Sequence, residues 1–196
     1  MLDTYARKYV QRFIDLTASL LLQLNISANQ VTKTALVIGL FSGVAILFYK
    51  PLLAVSLLWL SGYFDAVDGS MARKNNAASP WGTLMDITFD RLVELSVILG
   101  LAWRYPEAQF LLLLLTAGII FSMTVFLTVG ALAEKKGMKS FYYQAGLAER
   151  TEGFIFLSLM TLFPEWIYWT TGLFAFAVTF TAIQRLWEAK RILKED

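Results

Sequence analysis

Six stretches of mostly apolar residues follow one another along this chain: Lys33 to Tyr49, Leu52 to Met71, Thr83 to Trp103, Ala108 to Ala133, Ala145 to Phe163 and Trp166 to Leu186. Crossing a bilayer takes about 20 such residues in helical form, because a helix satisfies its own backbone hydrogen bonds in hydrocarbon. The sequence therefore predicts an all-α membrane protein with six transmembrane helices over 33–186, in one domain spanning 1–196. Pro51, Pro106 and Pro164 fall between spans, where a residue without an amide proton ends one helix and opens the next. Composition agrees: 57% of residues are hydrophobic and 16% charged, against about 45–50% and about 25% in soluble domains.

The segment 3–24 predicts another kind of helix. Tyr9, Val10, Phe13, Leu20, Leu21 and Leu24 recur at helical spacing, interrupted by Thr17, while Arg7, Lys8, Gln11, Arg12 and Asp15 fall on the other side. That pattern suits an amphipathic helix lying in the membrane interface. Arg12 and Asp15 argue against a further span, because charge at mid-membrane is costly. They also argue against a cleavable signal peptide, which needs an apolar stretch and a small-residue cleavage site early in the chain.

Lysine and arginine set the orientation. The N-terminal segment, the connections after the second and fourth spans and the C-terminus collect nearly all of them, and the opposite face has Lys50 and Arg104. Both termini are therefore expected in the cytoplasm. A net charge of +2 without a basic block gives no reason to expect nucleic acid. With no cysteine and no histidine, disulfides, cysteine nucleophiles, ordinary zinc sites and a histidine base are excluded.

Chemistry concentrates where the second span ends and the third begins, in SGYFDAVDGSMARKNNAASPWGTLMDITFDR. Asp65, Asp68, Asp86 and Asp90 stand at or near membrane depth, where one ionised carboxylate costs at least about 2.5–3.5 kcal/mol. Spacings of three and four put each pair on one face of its helix. A short connection makes the two helices neighbours, so both pairs can face one cleft. Four converging carboxylates suit two hard divalent cations, with Mg2+ expected and Mn2+ an alternative. Gly69 lets a phosphate approach the backbone closely, Gly82 keeps the cleft open, and Arg73 offers a fixed cation at its mouth.

The run Asp65, Asp68, Gly69, Ala72, Arg73, Gly82, Asp86, Asp90 resembles, at every spacing, the signature of the CDP-alcohol phosphotransferase (CDP-alcohol phosphatidyltransferase) family, D-x2-D-G-x2-A-R-x8-G-x3-D-x3-D. The resemblance extends over the whole chain, and KSFYYQAGLAERTEG looks like a segment of a bacterial branch of the family. It implies a bacterial cell-membrane enzyme of phospholipid biosynthesis that transfers a phosphatidyl group from a CDP-linked lipid to a small alcohol and releases CMP. It also implies roles: Asp65, Asp68, Asp86 and Asp90 as metal ligands, Asp90 also as the base, and Gly69, Arg73, Asn29 and Thr32 around the CDP moiety. Ala28 stands where the family usually has proline before that asparagine. A homodimer is implied as well.

By the same resemblance, Lys135, Lys139 and Arg150 are candidates to hold a phosphate on the acceptor. The two lysines equally satisfy the charge asymmetry of the bilayer, whereas Arg150 sits between Glu149 and Glu152 at the opening of a span. The resemblance does not select among glycerol phosphate, inositol phosphate and serine. Two other readings are a divalent-cation channel or carrier, and an inactive scaffold. Apolar runs beyond Ser61 and beyond Glu94 oppose a continuous ion path, and the intact aspartates oppose inactivity.

Overall fold

Ser27 starts the first buried helix. Its hydroxyl accepts from the Gln30 amide at 3.3 Å, and Gln30 Oε1 accepts from the Ser27 amide at 2.8 Å, a reciprocal cap that satisfies two otherwise unpaired donors. The helix therefore begins at Ala28 rather than Lys33, and Asn29 and Thr32 lie in its first turns. The computed structural model describes residues 2–75, 79–135 and 150–194, and every regular element among them is helical. In chain order these are α1 (Leu2–Gln23), α2 (Ala28–Leu47), α3 (Pro51–Lys74), α4 (Pro80–Arg104), α5 (Gln109–Lys135), α6 (Arg150–Leu162) and α7 (Ile167–Lys194). Short 3-10 turns at Pro106 and Pro164 lead into α5 and α7, so each of the three expected prolines opens a helical segment.

Among the described residues, four segments, namely α2, α3 and α5 and α7 with their leading turns, are long and apolar enough to cross a membrane. The protein is an integral membrane protein on that ground. The other two expected spans correspond to α4, which is 25 residues long but carries Asp86, Asp90, Arg91 and Glu94, and to α6, described over 13 residues.

α2 packs between α3 and α4 with almost no side chain in the way. A Cβ on Gly39 would overlap Val93 and Ser61, one on Gly43 would run into the Ser96 backbone, and one on Gly100 would stand 2.7 Å from the Gly43 carbonyl. The small-residue pair in the first span thus serves packing inside the bundle. Close approach lets hydroxyls bond across helices: Ser42 to the Ala54 carbonyl at 2.8 Å, Ser61 to the Ala35 carbonyl at 2.7 Å and Ser96 to the Leu40 carbonyl at 2.9 Å. Without a hydrophobic force between helices in lipid, such packing and bonding are what hold them together. Gly43→Leu is expected to separate α2 from α4 and destabilise the fold by at least the about 1–3 kcal/mol typical of overpacking. Thermal unfolding of the purified protein in detergent checks this.

α5 and α7 form a second pair, and α6 ties it to α3. Arg150, Phe154 and Ser158 lie on one face of α6 at intervals of four. They meet Asp65, Gly62 and Trp59 of α3, running the other way. Trp59 Nε1 donates to Ser158 Oγ at 3.0 Å, and its ring stands perpendicular to that of Phe154 with the centroids 5.9 Å apart. Trp59 is thus part of this helix contact. This antiparallel register carries Arg150 to the aspartates.

α1 lies across α3. Ile14 and Ala18 are buried with Val67 and Met71, while Phe13, Leu16 and Leu20 remain exposed. Exposed apolar residues on a helix whose inner face is already covered suit contact with lipid.

Candidate active site

Three carboxylates from two helices come together at the end of α3 and the start of α4. One oxygen each from Asp65, Asp68 and Asp86 lies within 4.8 Å of the others. Asp65 and Asp68 are buried, and Asp68 Oδ2 has no hydrogen-bond partner among the described residues. Buried acceptors are ordinarily satisfied, and buried charges are ordinarily paired or bound to metal. Convergent hard oxygen donors with a buried oxygen to spare fit a divalent cation. The asparagine and alanines that link the helices, 76–78, lie outside the described residues.

Asp90, one turn beyond Asp86, is outside this trio. Its Oδ1 accepts from Arg150 Nη2 at 2.5 Å, and Arg150 Nη1 donates to Asp65 Oδ2. Arg150 therefore lies on the carboxylates themselves, not at a separate pocket further along the membrane surface. Farther along α4, Glu94 is buried and pairs with Arg91, Nη1 to Oε2 at 2.6 Å. Glu94, a member of this buried charge group, lies outside the aspartate signature. Its position one turn past Asp90 on the same face was the available signal.

The flanking residues gather at the same end of the bundle. Thr32 is buried, and its hydroxyl lies beside the Asp68 carboxylate while donating to the Ala28 carbonyl at 3.0 Å. Arg73 folds back along α3, so that a Cβ on Gly69 would meet Arg73 Nη1 at 3.4 Å. Across the cleft, Ser79 caps α4 by accepting from the Gly82 amide at 3.1 Å, and a Cβ on Gly82 would stand 3.7 Å from Asn29 Oδ1. The beginnings of α2 and α4 and the end of α3 thus surround the aspartates with a threonine, an asparagine, two glycines and an arginine. Of the other two basic candidates, Lys135 closes α5, and Lys139 lies outside the described residues.

The family model described as CDP-alcohol phosphatidyltransferase matches residues 25–183. The chain belongs to this family. Its activity is the family's: transfer of a phosphatidyl-type group from a CDP-linked lipid to an alcohol, with release of CMP. Among similar proteins, the archaetidylinositol phosphate synthase of Pyrococcus horikoshii is 28% identical over 194 residues, covering 96% of each chain. The inner membrane protein YnjF of Escherichia coli is 29% identical, covering 99% of this chain and 98% of its own. The fold is shared with the phosphatidylinositol phosphate synthase of Mycobacterium tuberculosis. Its crystal structure with CDP-DAG bound gives a TM-score of 0.74 at 23% identity, covering 91% of this chain and 94% of that one. Another structure of the same synthase is a complex with manganese and citrate, at a TM-score of 0.73 and 23% identity, covering 90% and 88%. Membership of this CDP-alcohol phosphatidyltransferase family makes the aspartate trio the place to look for the chemistry.

Proposed function

We propose that this chain transfers a phosphatidyl group from CDP-diacylglycerol or a similar CDP-linked lipid to a phosphorylated polyol, using divalent cations held by Asp65, Asp68 and Asp86. The convergence of those three carboxylates carries the reading. α4 and α6 complete a six-span bundle, α1 lies in the interface, and the positively charged face carrying the site is cytoplasmic, where nucleotide and magnesium are available. Two Mg2+ ions are the expected complement.

The cations supply charge neutralisation on the donor pyrophosphate and its developing oxyanions. The protein supplies position. Gly69 leaves room for the pyrophosphate against α3, and Arg73, folded over it, faces the phosphate oxygens. Thr32 and Asn29 bound the nucleotide side of the cleft. Asp90, with no histidine in the chain, accepts the proton of the attacking hydroxyl. The hydroxyl oxygen bonds to the lipid-bearing phosphorus as the bond to the CMP oxygen breaks, in one displacement without a covalent enzyme intermediate.

Arg150 bridges Asp65 and Asp90, which puts a guanidinium beside the base, where an acceptor phosphate would arrive. Its planar fork matches a phosphate. Arg150→Gln is expected to raise the KM for a phosphorylated acceptor about tenfold or more, the scale of a lost charged hydrogen bond, with a smaller effect on donor KM. Equal KM for that acceptor in both proteins removes Arg150 from the acceptor site.

The test of the function is an acceptor screen: purified protein, magnesium, CDP-diacylglycerol, and inositol phosphate, glycerol phosphate or serine, with CMP release measured. Given the inositol phosphate synthases among similar proteins, inositol phosphate is expected to give the fastest release. No release with any acceptor would contradict the proposal.

A further inference from the structure

We infer that α1 is a strap that positions the nucleotide-binding end of α3, and that Asp15 and Ser70 are its positioning residues. The inference rests on the assignment of Gly69 and Arg73 to the CDP site. Ser70 follows Gly69 directly and is buried on the side of α3 away from Asp68, two residues or about 200° around the helix. Its hydroxyl donates to Asp15 Oδ1 at 2.7 Å, and Gln11 Nε2 donates to the same oxygen at 2.8 Å. One turn later, Lys74 Nζ reaches across to the Asp15 carbonyl and to Ser19 Oγ, both at 2.6 Å. One to two turns earlier, Thr17 Oγ1 and the Tyr63 hydroxyl are 2.7 Å apart. Apolar contacts of Ile14 and Ala18 with Val67 and Met71 fill the space between these polar ties. The Ser70 hydrogen bond, as the leading cause, also holds the Asp15 carboxyl below its ordinary range.

The physical need for such a strap lies in Gly69. A glycine inside a helix lowers its stability by about 1 kcal/mol relative to alanine. Here it stands less than two turns from the last residue of α3, where helices open most readily. The space that lets a pyrophosphate approach therefore weakens the segment that must hold Arg73 still. Bonds from the residue after the glycine, and from the last residue of the helix, to a second helix offset that weakness. They also divide the labour of the two adjacent cations: Lys74 is committed to α1, whereas Arg73 stays exposed over Gly69.

Steady-state kinetics of Ser70→Ala, Asp15→Ala and the double variant, with Arg73→Gln as reference, test this. Each single variant is expected to raise donor KM about fivefold, the scale of one lost hydrogen bond. The kcat and acceptor KM should stay within about twofold, and the double variant should be no worse than either single one, as for two members of one contact. Ser70→Thr and Asp15→Asn, which keep the donor and the acceptor oxygen, should recover most of the donor KM. A Ser70→Ala protein that unfolds at lower temperature but keeps the wild-type donor KM would make the contact merely structural and overturn the inference. So would additive effects in the double variant. If Arg73→Gln raises donor KM and the strap variants do not, the strap alone is wrong; if Arg73→Gln also leaves it unchanged, the CDP-site assignment falls and the strap with it.

Discussion

Asp68→Asn is expected to leave no measurable CMP release and to abolish tight binding of Mn2+ or Mg2+. The change is nearly isosteric, so a loss reports on charge rather than on folding. Asp68 is the buried member of the trio whose second oxygen has no protein partner among the described residues. An amide in its place removes one of three negative charges that a cation would neutralise, and points a donor where only acceptors are useful. Losing the outer partner of a metal ligand costs about 10–100-fold in affinity or activity, and losing a ligand itself should cost more. Titration calorimetry with Mn2+ and a CMP-release assay on one preparation check both halves. Wild-type binding by the variant would place the cations elsewhere.

Asp90→Asn is expected to lower kcat by about 10²–10⁴-fold, the usual contribution of a positioned base, while Mn2+ affinity and donor KM change far less. The proposed division of roles follows the grouping of the carboxylates. Asp65, Asp68 and Asp86 draw together, whereas Asp90 faces Arg150 from the next turn of α4. A base belongs beside the group that orients the incoming acceptor, and Arg150 is that group in this account. If Asp90→Asn turns over as fast as the wild type, the base is another residue. If it loses kcat and Mn2+ affinity together, as Asp68→Asn should, Asp90 acts as a ligand first.

The reach of the sequence followed the physics of spacing. Aspartates three and four apart predicted one shared cleft for four carboxylates; Asp65, Asp68 and Asp86 draw together in it, and Asp90 pairs with Arg150. Prolines between apolar runs predicted helix starts at Pro51, Pro106 and Pro164, and helical turns begin at each. Gly39 and Gly43, four apart in α2, lie against Val93 and Ser96. Contacts between residues far apart in the chain were beyond it. Arg150 is 85 residues from Asp65, and only the register of α6 on α3, fixed by Phe154 over Gly62 and Trp59 on Ser158, brings them together. Nor does periodicity distinguish an interfacial helix that merely floats on lipid from one pinned by Asp15 to Ser70. The start of α2 was placed five residues late because hydropathy marks the apolar length of a helix, whereas the Ser27 cap marks its end.

The claim beneath all of this is that acidic side chains of α3 and α4 gather a divalent cation at one edge of the bundle. Anomalous diffraction from crystals grown with Mn2+ tests it most directly. The account predicts a strong peak between Asp65, Asp68 and Asp86, at the roughly 2.0–2.6 Å typical of hard cations bound by oxygen. Crystals with full manganese occupancy at another site and no peak among these three carboxylates would contradict it.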